Sequence, residues 1–167
     1  MRIPALFLSI SLAGLTLPGF SNAAADTVKV AEAAYKTGDY QRALELALPA
    51  AQKGDPSAQA LLGRMHYLGR GVPRNYAKAA AWFRKAAEQG NVEAQLNLGV
   101  IYNNGLGVAR NGNTAIAWFT RAATQGDAAA QYNLGVMYDS AKGVSKNYAG
   151  AAATWYSAAA EQGLADA

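Results

Sequence analysis

The chain has 167 residues, no cysteine, a single histidine and a formal net charge of +4. With His66 alone and no thiol there is no material for a zinc centre, a Cys/His dyad or a disulfide framework, so the fold must rest on packing and helix capping. So small a charge excess argues against a nucleic-acid surface, and no cofactor and no metal site are expected.

At the start of the chain Arg2 supplies a positive charge, residues 5–17 form an uncharged apolar run, and Pro18 with Gly19 breaks it. Ser21, Asn22 and Ala23 then offer a small-x-small cleavage site, with residues 23–25 as the next choice. The run is shorter than the roughly 20 residues a membrane span needs. These features predict a secretory signal over residues 1–23, cleaved after Ala23 or Ala25, and a periplasmic or secreted chain with no transmembrane segment; an uncleaved anchor is the competing reading. No cysteine follows, so a lipoprotein anchor is excluded. Cleavage after Ala23 leaves 144 residues, one domain of ordinary size.

Residues 24–54 read as a helical hairpin that caps the N-terminal end. Its first helix is expected over residues 28–36, Thr37 and Gly38 turn the chain, and residues 39–54 align without a gap to residues 75–90. Pro49 removes a bond to the carbonyl of Glu45 and is expected to kink the second helix.

The chain then repeats itself: Gly54, Gly90, Gly126 and Gly163 recur at spacings of 36, 36 and 37 residues. Repeats of this length cannot bury their own apolar faces, so residues 55–90, 91–126 and 127–163 must stack into a solenoid with an extended surface. Asp55, Asn91 and Asp127 cap a first helix, and Pro56 suits the first helical position. Ala58, Leu62 and Met65 recur as Ala94, Leu98, Ile101 and as Ala130, Leu134, Met137, one helical face each time. Gly63, Gly99 and Gly135 lie mid-helix, where glycine costs about 1 kcal/mol against alanine, so a close backbone contact is expected there. Glycine-containing connections at residues 69–72, 105–108 and 141–144 end the first helices. Asn75, Asn147 and either Asn111 or Asn113 cap the second helices, whose stripe carries Ala79, Trp82, Phe83 and Ala86 and their counterparts, with Trp118 and Phe119 and then Trp155 and Tyr156 in the aromatic places. The extra residue of the third copy falls near residues 149–154. Residues 164–167 match the start of a further first helix, which leaves either a clipped chain or an under-covered face open to self-association.

The AQxxLG pattern of the first helices, Tyr102 and Tyr138, the GxGV connections, the KAAAWF run at residues 78–83 and the AAEQG endings together resemble Sel1-like repeats, of the tetratricopeptide-like class. The resemblance implies an all-α, right-handed α/α superhelix that serves as a non-enzymatic adaptor for proteins or peptides, with exported bacterial members in the envelope. Some secreted relatives carry a disulfide in each repeat, and a few were proposed to bind penicillin or wall fragments; this chain, without cysteine, departs from them.

Residues suited to catalysis do not converge. His66 stands where other repeats have Tyr102 and Tyr138, which reads as a packing residue with a polar tip, and the carboxylates are mostly caps or helix-end groups. Trp82, Trp118 and Trp155 recur at one helical phase beside alanines and read as core. Arg64, Arg70, Arg74, Lys78, Arg84 and Lys85 form either a solvated face or a patch for an acidic partner; residues 55–90 hold six basic residues against two acidic ones, whereas residues 127–163 hold two against three. First helices line the concave surface of such solenoids, which makes Asn97, Asn133, Asn103, Asn104, Asp139 and Arg64 the candidate partner-binding residues. Asparagine offers a donor and an acceptor, so a row of them suits an extended peptide backbone; ordinary solvated residues or inter-repeat bonds are the alternative. The function expected is an exported adaptor, and the rival reading is an envelope protein that binds or hydrolyses wall fragments or β-lactams.

Overall fold

A computed structural model describes residues 23–140 and 149–164. Among these residues there are eight helices and no strand: α1 Ala23–Lys36, α2 Tyr40–Gln52, α3 Pro56–Leu68, α4 Tyr76–Glu88, α5 Val92–Asn104, α6 Gly112–Thr124, α7 Ala128–Asp139 and α8 Ala149–Glu161. Residues 1–22 of the expected signal segment 1–23, the third connection, the expected cap Asn147 and residues 165–167 lie outside the described residues; both expected cleavage positions fall in the first turn of α1.

Each helix packs on the one before and the one after it, and direct contacts between alternate helices occur at α1 with α3 and at α3 with α5. The odd-numbered helices are therefore the closer-set, inner row of the curve, and the even-numbered helices form the outer row.

The helices begin where the caps place them. Asp55, Asn91 and Asp127 accept hydrogen bonds from the amides of Ala58, Ala94 and Ala130 at 2.9, 2.9 and 2.7 Å. Asn75 and Asn111 do the same for Lys78 and Thr114, so Asn111 and not Asn113 caps α6. Gly69 and Gly105 end α3 and α5 at φ of 70° and 69°, the left-handed conformation in which glycine carries no steric cost. Each connection is then tied back to its helix, because the Asn75 amide donates to the His66 carbonyl and the Asn111 amide to the Tyr102 carbonyl. The kink expected in α2 does not interrupt it: the helix runs through Pro49, which is exposed, and the Lys53 amide donates to the Pro49 carbonyl.

The core lies between hairpins. Val28, Ala31 and Tyr35 of α1 meet Ala43, Ala47 and Ala51 of α2 and Leu61, Leu62 and Met65 of α3. Phe83 of α4 is enclosed with Ala60 of α3 and Leu98 and Ile101 of α5, and Phe119 of α6 with Leu134 and Met137 of α7. Burying each phenylalanine ring stabilises the fold by about 1.5–3 kcal/mol. The mid-helix glycines make room for these rings. A Cβ at Gly63 would lie 2.6 Å from Phe83 Cδ1, one at Gly135 would lie 2.6 Å from Tyr156 Cδ1, and one at Gly99 would overlap the Phe119 ring. Tyr156 thus takes the place of Phe83 and Phe119. Ala152 is buried like Ala79 and Ala115, so the extra residue of the third repeat is absorbed before Ala152.

A glutamine relay that the sequence displays but does not explain joins the repeats. Gln59, Gln95 and Gln131 are buried on the first helices. Their side-chain amides donate to the carbonyls of Ala51, Ala87 and Ala123 in the preceding repeat at 3.1, 3.1 and 3.3 Å. Their oxygens accept from Gln89, Gln125 and Gln162 of their own repeat's second helix at 2.9, 2.7 and 2.9 Å. Each buried amide is thereby satisfied on both sides, which is the condition for placing one in a core.

Candidate functional site

The inner row is formed by α1, α3, α5 and α7. Asn97 and Asn133 occupy the slot of Leu61, which is buried against α1 and α2, so both asparagines stand at the seam toward the preceding repeat and are half-buried. Their amides donate to carbonyls of their own helices, Asn97 to Glu93 at 2.8 Å and Asn133 to Ala129 at 2.7 Å. One donor on each is thus spent locally.

Asn104 and Asp139 are exposed at the last residues of α5 and α7, and the Asn103 carbonyl accepts from Arg110 Nε at 2.8 Å. Six residues of helix separate Asn97 from Asn103, about 9 Å at 1.5 Å per residue. The candidate residues therefore form a strip along the inner row, not one compact cluster.

Arg64 sits in a setting that the sequence does not signal. Its Nη2 meets Glu32 Oε2 and Oε1 at 2.6 and 2.8 Å, and its Nη1 meets Glu93 Oε1 at 3.2 Å. Its guanidinium also lies 4.7 Å from the centre of the Tyr35 ring. One cation thus ties α1, α3 and α5 together across the inner surface. The carboxyl of Glu93 is held above the ordinary glutamate value by burial, with Glu32 adding to the rise and Arg64 opposing it. Val100 and Val136 take the Arg64 slot in the next two repeats, so this clamp occurs once in the series.

The other basic residues mostly lie against aromatic rings. Arg70 joins Arg64 at Tyr35, donating to its hydroxyl at 3.3 Å, and also lies over Tyr40. Arg74 lies over Tyr76, Lys85 over Trp82 at 4.5 Å, and Arg84 donates to the Tyr102 hydroxyl at 2.6 Å. Arg70 and Arg74 belong to the α3–α4 connection, and Lys78, Arg84 and Lys85 to α4, so these five lie off the inner row. Trp82, Trp118 and Trp155 are half-buried and pack onto the core of the preceding repeat in each case. Cations cover the first two, since Arg121 repeats over Trp118 the position of Lys85 over Trp82.

His66 is half-buried on α3, and burial lowers its pKa, with Lys78 adding to the fall and a hydrogen bond with the Pro73 backbone opposing it. Among the described residues no group of histidines and carboxylates is arranged to hold a metal ion, and no helix is long and apolar enough to cross a membrane. A cavity of about 490 Å³ opens on the inner row between α1 and the N-terminal turns of α3 and α5.

Paired helices stacked through a repeated glutamine bond, with an inner row of first helices, define a tetratricopeptide-like α/α solenoid. The family model for the Sel1 repeat matches residues 31–55, 56–91, 92–127 and 128–164, and the chain belongs to the Sel1 repeat family. Among solved structures it is similar to a Sel1 repeat protein from Oxalobacter formigenes, at 36% identity and a TM-score of 0.77, covering 83% of this chain and 55% of that one. It is also similar to a protective antigen of uropathogenic Escherichia coli strains that displays an SLR fold, at 37% identity and a TM-score of 0.78, covering 84% of this chain and 31% of that one. The chain thus spans about half and about a third of the lengths of these two proteins. Helicobacter pylori cysteine rich protein B, at 19% identity and a TM-score of 0.53 over 68% of this chain and 96% of that one, shares the fold. A comparison with curated proteins gives no match. Sel1 repeats generally mediate protein–protein interaction and are typically non-catalytic scaffolds.

Proposed function

We propose that this chain is an exported, non-enzymatic adaptor of the bacterial envelope that holds a protein or peptide segment along its inner row. The observation that carries the reading is the strip of unlike side chains on otherwise like helices. Repeats that match in caps, core and glutamine relay differ at the inner slots, where Arg64 is followed by Val100 and Val136 and Ser57 by Glu93 and Ala129. Packing needs the shared residues; slots that vary along the inner row, as outer ones such as Arg84 and Thr120 also do, suit the recognition of a particular partner. The apolar run at residues 5–17 and the small-x-small pattern ending at Ala23 support export. A preference for an acidic partner belongs to Arg70, Arg74 and Lys78, outside the groove.

The test is crosslinking in the envelope fraction of its own host, with the protein expressed behind its own leader, followed by mass spectrometry. One stoichiometric partner should be captured, and Asn97→Ala with Asn133→Ala, or Val136→Ser, should reduce its capture while the helical melt stays nearly unchanged. Equal capture by all three proteins sinks the groove reading. Self-crosslinks alone would move self-association ahead, and wall fragments alone the rival reading. N-terminal sequencing of the exported chain checks cleavage after Ala23 or Ala25.

A further inference from the structure

The repeat at residues 55–90 is electrically polarised along its helices. Asp55 caps the start of α3 and Glu88 ends α4, so both of its acids stand at one end of the hairpin. Arg70, Arg74 and Lys78 stand at the other end, on the α3–α4 connection and the first turn of α4, about 20 Å away along helices of 13 residues. The ion pairs among the described residues are those of Lys29 with Asp26, Arg42 with Glu45, and Arg64 with Glu32 and Glu93, so none of these three cations meets a carboxylate. At the preceding connection Asp39 is bonded to the Arg42 amide, and Lys36, on the last turn of α1, offsets its charge.

The connection end is also aromatic. Tyr35 and Tyr40 meet edge to face with ring centres 5.3 Å apart, and Tyr67 and Tyr76 meet in the same way at 5.3 Å. The Arg70 guanidinium lies 5.7 and 5.8 Å from the centres of the Tyr35 and Tyr40 rings, and that of Arg74 lies 5.6 Å from the centre of Tyr76. The two arginines rise from adjoining backbone, since a Cβ at Gly69 would lie 3.0 Å from Arg74 Cβ. A ring holds a guanidinium in place without neutralising it, so both groups keep charge and N–H donors for an outside acceptor and lose less freedom on meeting one. Leu68, beside them in the chain, is 45% exposed. The repeat fold does not require this arrangement. At the following connection Leu106, Asn103 and Gly112 hold the slots of Arg70, Tyr67 and Tyr76, and Arg110, in the Arg74 slot, is turned back on the Asn103 carbonyl at 2.8 Å.

We propose that this edge docks an acidic segment of a protein partner, whose carboxylates reach Arg70 and Arg74 and whose apolar side chains cover Leu68 and the Tyr40 and Tyr76 rings. The forked donors of arginine match a carboxylate, and apolar groups beside the cations suit a peptide better than a layer of lipid headgroups. Arg84 and Lys85, set against Tyr102 and Trp82 on the outer helix, stay outside the surface. The proposal rests on the adaptor reading but uses a surface separate from the groove, so the two fail separately.

The test is an amide NMR titration of the ¹⁵N-labelled protein, expressed with its own leader, with a short acetylated and amidated peptide of alternating glutamate and leucine, with its glutamine counterpart, and with phosphatidylglycerol vesicles. The glutamate peptide should shift the amides of Leu68, Arg70 and Tyr76 saturably, in roughly the millimolar range, and the glutamine peptide should bind at least about tenfold more weakly. Raising the salt from about 0.05 M to about 0.5 M should weaken the glutamate peptide. Arg70→Gln with Arg74→Gln should lower its affinity at least about tenfold, whereas Arg84→Gln with Lys85→Gln, which removes the same charge, should change it less than about twofold. Equal losses from the two double variants, unsaturable shifts, or equal binding of the glutamine peptide would each overturn the proposal. So would binding of the vesicles alone, which would assign the edge to lipid. Saturable shifts confined to α5 and α7 near Asn97 and Asn133 would overturn it while leaving the groove intact, and the groove itself stands or falls by the crosslinking result.

Discussion

Gln95 Oε1 accepts a hydrogen bond from Gln125 Nε2 at 2.7 Å, while the amide of the same Gln95 donates to the Ala87 carbonyl of the preceding repeat. Removing Gln95 takes the side-chain partner from the buried Ala87 carbonyl, at a cost of about 1–3 kcal/mol, whereas the exposed Gln125 can turn to water. Gln95→Ala should therefore lower the urea-unfolding free energy by about 1–3 kcal/mol. Gln41→Ala, which breaks an exposed bond to Glu45, should change it by less than about 0.5 kcal/mol. Similar values for the two variants would show that the relay contributes little.

Gly99→Ala would set a methyl against the Phe119 ring inside the third core. Overpacking of this kind costs about 1–3 kcal/mol, offset in part by the better helix propensity of alanine, about 1 kcal/mol. The net expectation is a lower melting temperature, partly restored when Phe119→Leu is added. A stabilised single variant would mean that the ring shifts freely.

Glu93 contributes a pH dependence of definite sign. Its folded-state pKa is raised above the ordinary glutamate value of 4.5, so the folded chain binds this proton more tightly than the unfolded one. Stability then falls as pH rises from the ordinary value through the raised one. Urea melts between about pH 4 and pH 7 should show the unmodified protein losing ground relative to Glu93→Gln as pH increases. A constant difference between the two proteins would contradict the environment described for Glu93.

His66 acts in the opposite direction. Its folded-state pKa lies below 6.5 because of burial, so the unfolded chain binds the proton more readily. Its contribution is present above pH 6.5 and is lost as pH falls from 6.5 through the lowered folded value. His66→Tyr, the residue of the equivalent slots, should remove that loss on the acid side, as read from melting temperatures across the same pH series.

The sequence makes the architecture legible because caps, positive-φ glycines and apolar stripes are local signals that recur with the period. The mid-helix glycines signal a close neighbour at Gly63, Gly99 and Gly135, but not that the neighbour is the ring of Phe83, Phe119 or Tyr156. The inner surface is legible only in outline. Asn97 and Asn133 stand on the first helices as expected, but their bonds to Glu93 and Ala129 depend on rotamers. The Glu32–Arg64–Glu93 clamp escapes sequence reading because its partners lie 32 and 29 residues apart and follow no period. The basic residues look like one patch along the chain, yet Arg64 stands on the inner helix with Arg70 beside it at Tyr35, while Arg84 and Lys85 follow the outer helix. The glutamines were visible at every turn of the repeat, yet nothing in a string of letters says that Gln89 reaches Gln59.

That relay also sets the unit in which such a chain can lengthen or shorten. Joining Gly90 directly to Asp127 would place Gln131 where Gln95 now stands, with the Ala87 carbonyl before it and Gln162 behind it. A deletion one residue longer or shorter would rotate the incoming helix by about 100° and bring a different side chain to that carbonyl. Duplication and loss in steps of a whole repeat are therefore silent at the joints, and the groove can gain or shed a recognition slot without any change to the residues that remain.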